Sequence, residues 1–152
     1  MDGIKTIGTG FFFEDLMIGF RFRTHGRTIT EADLANFVNL TWLTEELFTN
    51  TADTSGRAIQ GRFVPAALVY SFAEGLLTPA IQGTGLAFLN AEVDVKGPTF
   101  VGDTIHVECE VTEARATSKG GRGLARTVNR VVNQNGVTVL TYNPLRMVKM
   151  RG

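Results

Sequence analysis

The chain has 152 residues, 43% of them apolar, and its fifteen basic and fifteen acidic side chains cancel. This length suits one domain with a real core, which we expect over residues 1–152, and the balanced charge argues against a nucleic-acid partner. The sequence shows neither an apolar stretch of the roughly 20 residues that span a membrane nor a secretory signal at its start. The lone Cys109 excludes an intramolecular disulfide, so we expect a cytoplasmic protein without a membrane segment.

The first half of the chain predicts one extended segment and two helices. Phe11–Phe22 is rich in aromatic residues and is expected to lay Phe rings against a sheet. A helix begins after Thr30, a favourable N-cap, and residues 42–61 are polar and irregular with at most a short helical turn. Pro65 precedes the helix Ala66–Leu77, which is apolar on almost every side and is therefore expected to be buried.

The second half of the chain predicts antiparallel strands. Leu86–Val95 is the first, and the residues from Ile105 to Val111 alternate between apolar and polar with a period of two. Gly123–Val132 and Val137–Met150 follow, and Asn135-Gly136 between them favours a type I′ hairpin turn. This order predicts an α+β fold in which a curved antiparallel sheet, completed by the N-terminal segment, wraps around one long buried helix.

Five short motifs follow one another between residues 13 and 148. They are Phe13–Leu16 with Gly19, Gly26–Asp33, Gly61-Arg62 leading to Ser71 and Gly75-Leu76, Val101–Ile105, and Asn133–Gly136. Together they resemble the MaoC-like dehydratases, a family that includes the (R)-specific enoyl-CoA hydratases. The resemblance implies a hot-dog fold, a homodimer or higher oligomer, and an acyl thioester of coenzyme A as the ligand, with no bound cofactor.

The resemblance also locates the catalytic pair of the family. Its signature Leu-Thr-Gly-Asp-x-Asn-Pro-(Ile or Leu)-His begins at Leu40, which places Trp42 at the Gly, Leu43 at the Asp and Phe48 at the His. In the family, the Asp and the His share the acid and base work that adds water to an enoyl thioester. Leucine and phenylalanine carry no group for proton transfer, so the resemblance implies a hydratase scaffold without its usual chemistry.

Substrate contacts are expected at the start of the apolar helix. Where the family has Ile-Ala-His-Gly, this chain has Phe63-Val64-Pro65-Ala66. Free N–H groups at a helix N-terminus suit a thioester carbonyl, and Ala66 and Ala67 keep theirs, although the Ala66 methyl is expected to weaken the site. Ser71 matches a serine of the family pattern, and a small residue that allows close helix packing explains it equally well.

Two functions fit the sequence. In the first, the chain binds an acyl thioester or serves as a non-catalytic subunit beside an active paralogue. In the second, it is an active hydratase, dehydratase or thioesterase in which one of four carboxylates replaces the missing pair: Glu45, Glu46, Asp53 or Glu74. A carboxylate in an apolar cleft has the raised pKa that such a role needs. Glu45 and Glu46 also fit a solvated helical turn, and Glu74 also fits a helix end that reaches solvent.

Neither histidine is expected to act in catalysis. His106 alternates with Glu108 on the polar face of a strand, and His25 precedes Gly26 in a turn, so both are expected to be exposed. Two histidines and one cysteine are too few for a metal site of the His/Cys kind. We therefore expect no bound metal.

Overall fold

The structure, a computed structural model, describes residues 3–152, so the first two residues of the expected domain 1–152 lie outside the described residues. In chain order the elements are a 3-10 turn Phe13–Asp15, β1 Arg21–Arg23, β2 Arg27–Thr28, α1 Glu31–Thr41, α2 Glu46–Thr49, α3 Ala66–Leu76, α4 Thr78–Ile81, β3 Gly85–Asn90, β4 Val93–Val95, β5 Thr104–Ala116, β6 Arg122–Val132, β7 Thr138–Tyr142 and β8 Leu145–Lys149.

The strands form one antiparallel sheet with β5 and β6 at its centre. The first half of β6 pairs with β8, where Arg122 lies opposite Lys149, and its second half pairs with β7, where Asn129 lies opposite Tyr142. β3 and β4 continue outward from β8 and β7 and form one edge, while β1 and β2 pair with β5 at the other. The N-terminal strand therefore completes the sheet, as the sequence predicts.

α3 packs against this sheet and supplies the centre of the core. Its Leu68, Val69 and Ala73 are buried among residues of β5, β6 and β7. The α+β architecture predicted from the sequence, a sheet around one central helix, is confirmed. The prediction that every side of this helix is buried is wrong for the single protomer. The sheet covers one side of the helix, and Ala67 and Ser71 on the other side are exposed.

Two strands predicted as continuous are each divided in two. The segment Leu86–Val95 is broken between β3 and β4, and the last strand is broken between β7 and β8 at Pro144. Proline has no N–H for a ladder hydrogen bond, which accounts for the second break. The breaks face each other, since the Glu92 N–H donates to Asn143 Oδ1 at 2.7 Å.

The hairpin between β6 and β7 forms at the predicted place, but its turn is not of type I′. A type I′ turn needs positive φ at two successive residues, and within this turn only Gly136 has one, at 76°. The Gly136 N–H donates to the Asn133 carbonyl at 3.0 Å, and the Asn133 N–H donates to the Val137 carbonyl at 2.9 Å. The connection is a three-residue loop with glycine in the left-handed region.

The aromatic N-terminal segment packs on the sheet as predicted, although little of it is strand. Three of its rings contact one another, with centroids between 5.1 and 5.6 Å apart: Phe11, Phe20 and Phe22. The Phe13 ring lies against Gly123 of β6, where an added Cβ would approach it to 2.3 Å. Glycine is therefore required at 123 for this ring to reach the sheet.

Candidate functional site

α1 leads into the segment where the family resemblance places the catalytic pair. The helix starts in a capping box, in which Thr30 Oγ1 accepts from the Asp33 N–H at 3.1 Å and Asp33 Oδ2 accepts from the Thr30 N–H at 2.9 Å. Leu34 and Val38 are buried beneath it. The N-cap predicted at Thr30 is confirmed, and it fixes the direction in which the chain approaches residue 42.

Trp42 ends α1 in an unusual backbone conformation. Its φ is 62°, and it is the one non-glycine residue with a positive φ among residues 3–152. Glycine is the residue that usually takes this left-handed position after a helix. The resemblance predicts a glycine at this position, and Trp42 adopts the backbone conformation that a glycine would favour. The Trp42 side chain is 86% exposed.

Two arginines hold the irregular segment that follows. Arg57 Nη2 donates to the carbonyls of Glu46 and Asn50 at 3.0 and 2.7 Å, and so contacts both ends of the short helix α2. Arg62 Nη1 donates to the Phe48 carbonyl at 2.7 Å, while its Nε and Nη2 contact the Glu31 carboxylate at 2.6–3.1 Å. Phe48 is thereby tied to the first turn of α1.

A cavity of about 150 Å³ lies at the N-terminus of α3. Phe48 lines it and packs edge-on against Phe63, with ring centroids 5.4 Å apart. No lining residue has a titratable side chain; they are Phe48, Ile59, Phe63, Val64, Pro65, Ala66, Val69, Val95, Gly97, Pro98, Thr99, Val139 and Leu140. The cavity suits an apolar group and contains no side chain that transfers a proton.

A free backbone donor belongs to one of the residues that line the cavity. The N–H groups of Leu68 and Val69 donate to the Pro65 carbonyl at 3.0 and 3.4 Å, whereas those of Ala66 and Ala67 donate to no described residue. Of these two residues, Ala66 lines the cavity. Its N–H, together with the positive end of the helix dipole, can hydrogen-bond a carbonyl oxygen placed there.

Three of the four substitute carboxylates lie away from this cavity. Glu45, Glu46 and Asp53 are exposed and are not among its lining residues. Asp53 Oδ1 accepts hydrogen bonds from the hydroxyl and the N–H of Ser55 at 2.7 and 3.0 Å, which lower the pKa of the Asp53 carboxyl. This is opposite in direction to the shift that a general base in an apolar cleft requires.

The fourth carboxylate, Glu74, belongs to a polar cluster farther along α3. Its Oε2 accepts from the Tyr142 hydroxyl at 2.8 Å and from Arg146 Nη2 at 2.5 Å. Sequence analysis did not identify Tyr142 or Arg146, which are 68 and 72 residues from Glu74 and show no local pattern that links them to it. Burial raises the pKa of Tyr142, with a further contribution from the Glu74 charge. The Tyr142 hydroxyl therefore stays protonated and remains a donor.

The remaining candidates lie elsewhere. Leu43 is half-buried and Ser71 exposed, and neither lines the cavity. His25 is exposed, as predicted. His106 is half-buried rather than exposed, because its Nε2 lies 2.8 Å from Glu108 Oε2 and this contact holds the ring against the sheet.

Burial raises the pKa of the Cys109 thiol to about 12, which makes the thiol unreactive. Within residues 3–152, no group of His, Cys, Asp and Glu has the arrangement of a metal site.

This chain is similar to the (R)-specific enoyl-CoA hydratase of Aeromonas caviae, with 29% identity over 110 residues that cover 72% of this chain and 79% of that protein. A MaoC domain dehydratase from Chloroflexus aurantiacus has a similar structure, with a TM-score of 0.90 and 26% identity over 98% of this chain and 43% of that one. A Mycobacterium tuberculosis protein with a double hot-dog fold has a TM-score of 0.81 and 24% identity over 97% of this chain and 46% of that one. No family model matches the chain. The architecture is thus the hot-dog fold. None of the helices in residues 3–152 has both the length and the apolar composition of a membrane span.

Proposed function

We propose that this chain, which is similar to MaoC-like hydratases and dehydratases of the hot-dog fold, binds an acyl thioester without hydrating it. The thioester carbonyl accepts a hydrogen bond from the Ala66 N–H, and the first carbons of the acyl group occupy the cavity beside Phe48. Coenzyme A is the proposed carrier, and neither a metal nor another cofactor takes part.

One observation carries this proposal. The cavity beside the free Ala66 N–H is lined by thirteen residues, none of which is titratable. Hydration of an enoyl thioester needs a base to activate water and an acid to protonate carbon, and such groups typically contribute about 10²–10⁴-fold to a rate. Binding needs only an apolar surface and a few polar anchors. The cavity has the apolar surface and the polar anchor that binding needs. Its lining residues have no side chain that could act as the acid or the base of hydration.

The positions of the carboxylates further support binding over catalysis. Glu45, Glu46 and Asp53 are exposed, and Glu74 is paired with Arg146 two helical turns from Ala66. Glu74 Oε2 accepts from both Tyr142 and Arg146, and Glu74 is not among the residues that line the cavity. An enzyme that relied on one of these residues would have to move it into the cavity.

We also propose that the protein is a homodimer joined through the edge formed by β3 and β4. Five apolar residues on this edge are between 43% and 54% exposed in the protomer: Leu86, Phe88, Leu89, Val93 and Val95. An open apolar strand edge tends to pair with another chain. Val95 also lines the cavity, so a partner at this edge would cover the site. The same edge is where we would place an active paralogous subunit.

Light scattering tests the assembly. We expect about twice the protomer mass of 16.5 kDa at micromolar concentration, and a Val93→Lys variant is expected to shift the mass to that of the protomer by placing a charge on the edge. A wild-type mass near 16.5 kDa would contradict the dimer.

Titration calorimetry with butyryl-CoA and crotonyl-CoA tests the binding site. Ala66→Pro removes the N–H at the first helical position, where proline is tolerated, and the preceding Pro65 already has the extended backbone that a following proline requires, with ψ at 140°. Ala66→Gly is the matched control because it keeps the N–H and removes the methyl. Loss of one net hydrogen bond predicts affinity about threefold to tenfold weaker for Ala66→Pro. Equal affinities of the two variants would exclude the Ala66 N–H as the anchor.

A further inference from the structure

A threonine in the wall of the Ala66 cavity has a hydroxyl without a partner. Of the thirteen residues that line this cavity, Thr99 alone has a polar side chain. Thr99 is 3% exposed, and its hydroxyl forms no hydrogen bond to any of residues 3–152. Buried hydroxyl groups usually have a partner, so a hydroxyl that borders a cavity without one is free to bond to a ligand there.

The backbone holds Thr99 beside the residues that lead into α3. The Thr99 carbonyl accepts from the Val64 N–H at 2.9 Å, and the neighbouring residues Phe63 and Phe100 form an antiparallel bridge. Val64 precedes Ala66 by two residues, a stretch of chain that spans at most about 7 Å. Thr99 therefore lies close to the end of the cavity where Ala66 has its free N–H.

The loop that carries Thr99 is fixed on both sides of this residue. Before it, the Gly97 N–H donates to the Val139 carbonyl of β7 at 3.2 Å, and Pro98 restricts the backbone between them and Thr99. At Thr99 itself, the contact with the Val64 N–H attaches the loop to the start of α3. A side chain on a loop held in this way loses little conformational freedom when a ligand binds.

We propose that the Thr99 hydroxyl is a second donor to the thioester carbonyl, beside the Ala66 N–H. This inference rests on the proposed function, because a bound thioester is what brings a carbonyl into the cavity. A carbonyl oxygen has two lone pairs and can accept from both donors. A saturated acyl group has no polar atom of its own. A ligand that fills the cavity would therefore leave the Thr99 hydroxyl unpaired, at a cost in affinity, unless the thioester carbonyl accepts from it.

The same assignment predicts how Thr99 affects the protein without ligand. A hydroxyl that serves only the ligand contributes no hydrogen bond to the fold. Valine has nearly the same shape as threonine and places a methyl group in a wall that is otherwise apolar. Thr99→Val is therefore expected to unfold at a urea concentration no lower than that of the wild-type protein.

Titration calorimetry with butyryl-CoA and S-butyl-CoA tests the proposed contact, because in S-butyl-CoA two hydrogens replace the carbonyl oxygen. We expect the wild-type protein to bind butyryl-CoA about tenfold to a hundredfold more tightly than the thioether. Thr99→Val should reduce this preference about threefold to tenfold, since one of two hydrogen bonds to the carbonyl is lost. Thr99→Ser keeps the hydroxyl and is the matched control, whose preference should stay within about twofold of wild type.

The possible failures separate this inference from the binding function. An equal preference in the wild-type protein and Thr99→Val would reject Thr99 as an anchor and leave thioester binding intact. The same conclusion would follow if Thr99→Val weakened the thioether as much as the thioester, or if it unfolded at a clearly lower urea concentration. The last result would assign the hydroxyl to the fold. Failure of the wild-type protein to bind butyryl-CoA would reject the anchor and the proposed function together.

Discussion

The two ends of α3 have opposite chemistry although one helix carries both. At its N-terminus, a cavity of about 150 Å³ has no titratable lining residue, and its lining residues include Ala66, with a free backbone N–H, and Thr99, with a hydroxyl. In its C-terminal half, Glu74 accepts hydrogen bonds from Tyr142 of β7 and Arg146 of β8. The difference shows that a helix N-terminus provides a polar anchor whatever side chains surround it. A cavity with no titratable side chain can therefore still anchor a carbonyl group.

The largest expected effect would make the N-terminal end resemble an active hydratase. Leu43→Asp and Phe48→His together should produce measurable hydration of crotonyl-CoA, because paired acid and base groups typically contribute about 10²–10⁴-fold. Each single change should do little, since the two groups act as a unit. The measurement is the loss of absorbance at the enoyl-thioester band.

The double variant must be shown to fold before its activity is interpreted. Phe48 is only 7% exposed, so polar groups placed there and at Leu43 are expected to cost a few kcal/mol of stability. A folded double variant that binds crotonyl-CoA and leaves it unchanged would indicate that the scaffold no longer presents the thioester to these positions.

The second prediction concerns the polar end of α3. Arg146→Met leaves Glu74 largely buried with only the Tyr142 hydroxyl as its partner, which should lower the free energy of unfolding by about 2–3 kcal/mol. Adding Glu74→Leu should recover most of this loss, because a buried ion pair can be replaced by apolar side chains at little cost. Urea unfolding of both single variants and the double variant measures the coupling. If the free energy lost by the double variant equalled the sum of the losses of the two single variants, Glu74 and Arg146 would not stabilise the fold as a pair.

The smallest expected effect is a loss of stability in acid, when Glu31 is protonated and its contact with Arg62 weakens. Arg62 links the first turn of α1 to the Phe48 carbonyl. Hydrogen bonds from Arg62 lower the pKa of Glu31, and hydrogen bonds from Thr30 lower that of Asp33. A carboxyl whose folded pKa is lowered stabilises the fold at neutral pH, and this contribution is lost as the pH falls from the unfolded pKa through the folded one.

Glu31→Gln tests this tie directly. It should lower stability by about 0.5–1 kcal/mol at pH 7, because the pair is partly exposed, and by less below pH 4. Glu110→Gln is the control, since Glu110 forms no ion pair among residues 3–152. A Glu31→Gln effect equally large at both pH values would contradict a role for this charge.

Local patterns predicted much of the fold. The Thr30 cap, the short helix at α2, the alternation along β5 and the strand content all follow from the chemistry of neighbouring residues. The resemblance predicted an apolar residue at 48, and Phe48 lines the apolar cavity, whereas Leu43 does not. Pro144 was a local signal for the break between β7 and β8.

Features that depend on distant residues could not be predicted in this way. The cluster around Glu74 joins residues from α3, β7 and β8, and no spacing in the sequence links them. The three-residue loop at Gly136 depends on Asn133, whose Oδ1 accepts from the N–H groups of Asn135 and Val137. The dipeptide Asn-Gly alone favours a different turn.

The absorbance of crotonyl-CoA in the presence of wild-type protein tests the central claim most directly. We expect the enoyl-thioester band to remain unchanged at protein concentrations that bind the thioester, because no side chain at the Ala66 cavity transfers a proton. Disappearance of the band with turnover of about 1–10³ s⁻¹, the usual range of enzymes, would contradict the claim and show that another residue carries out the hydration.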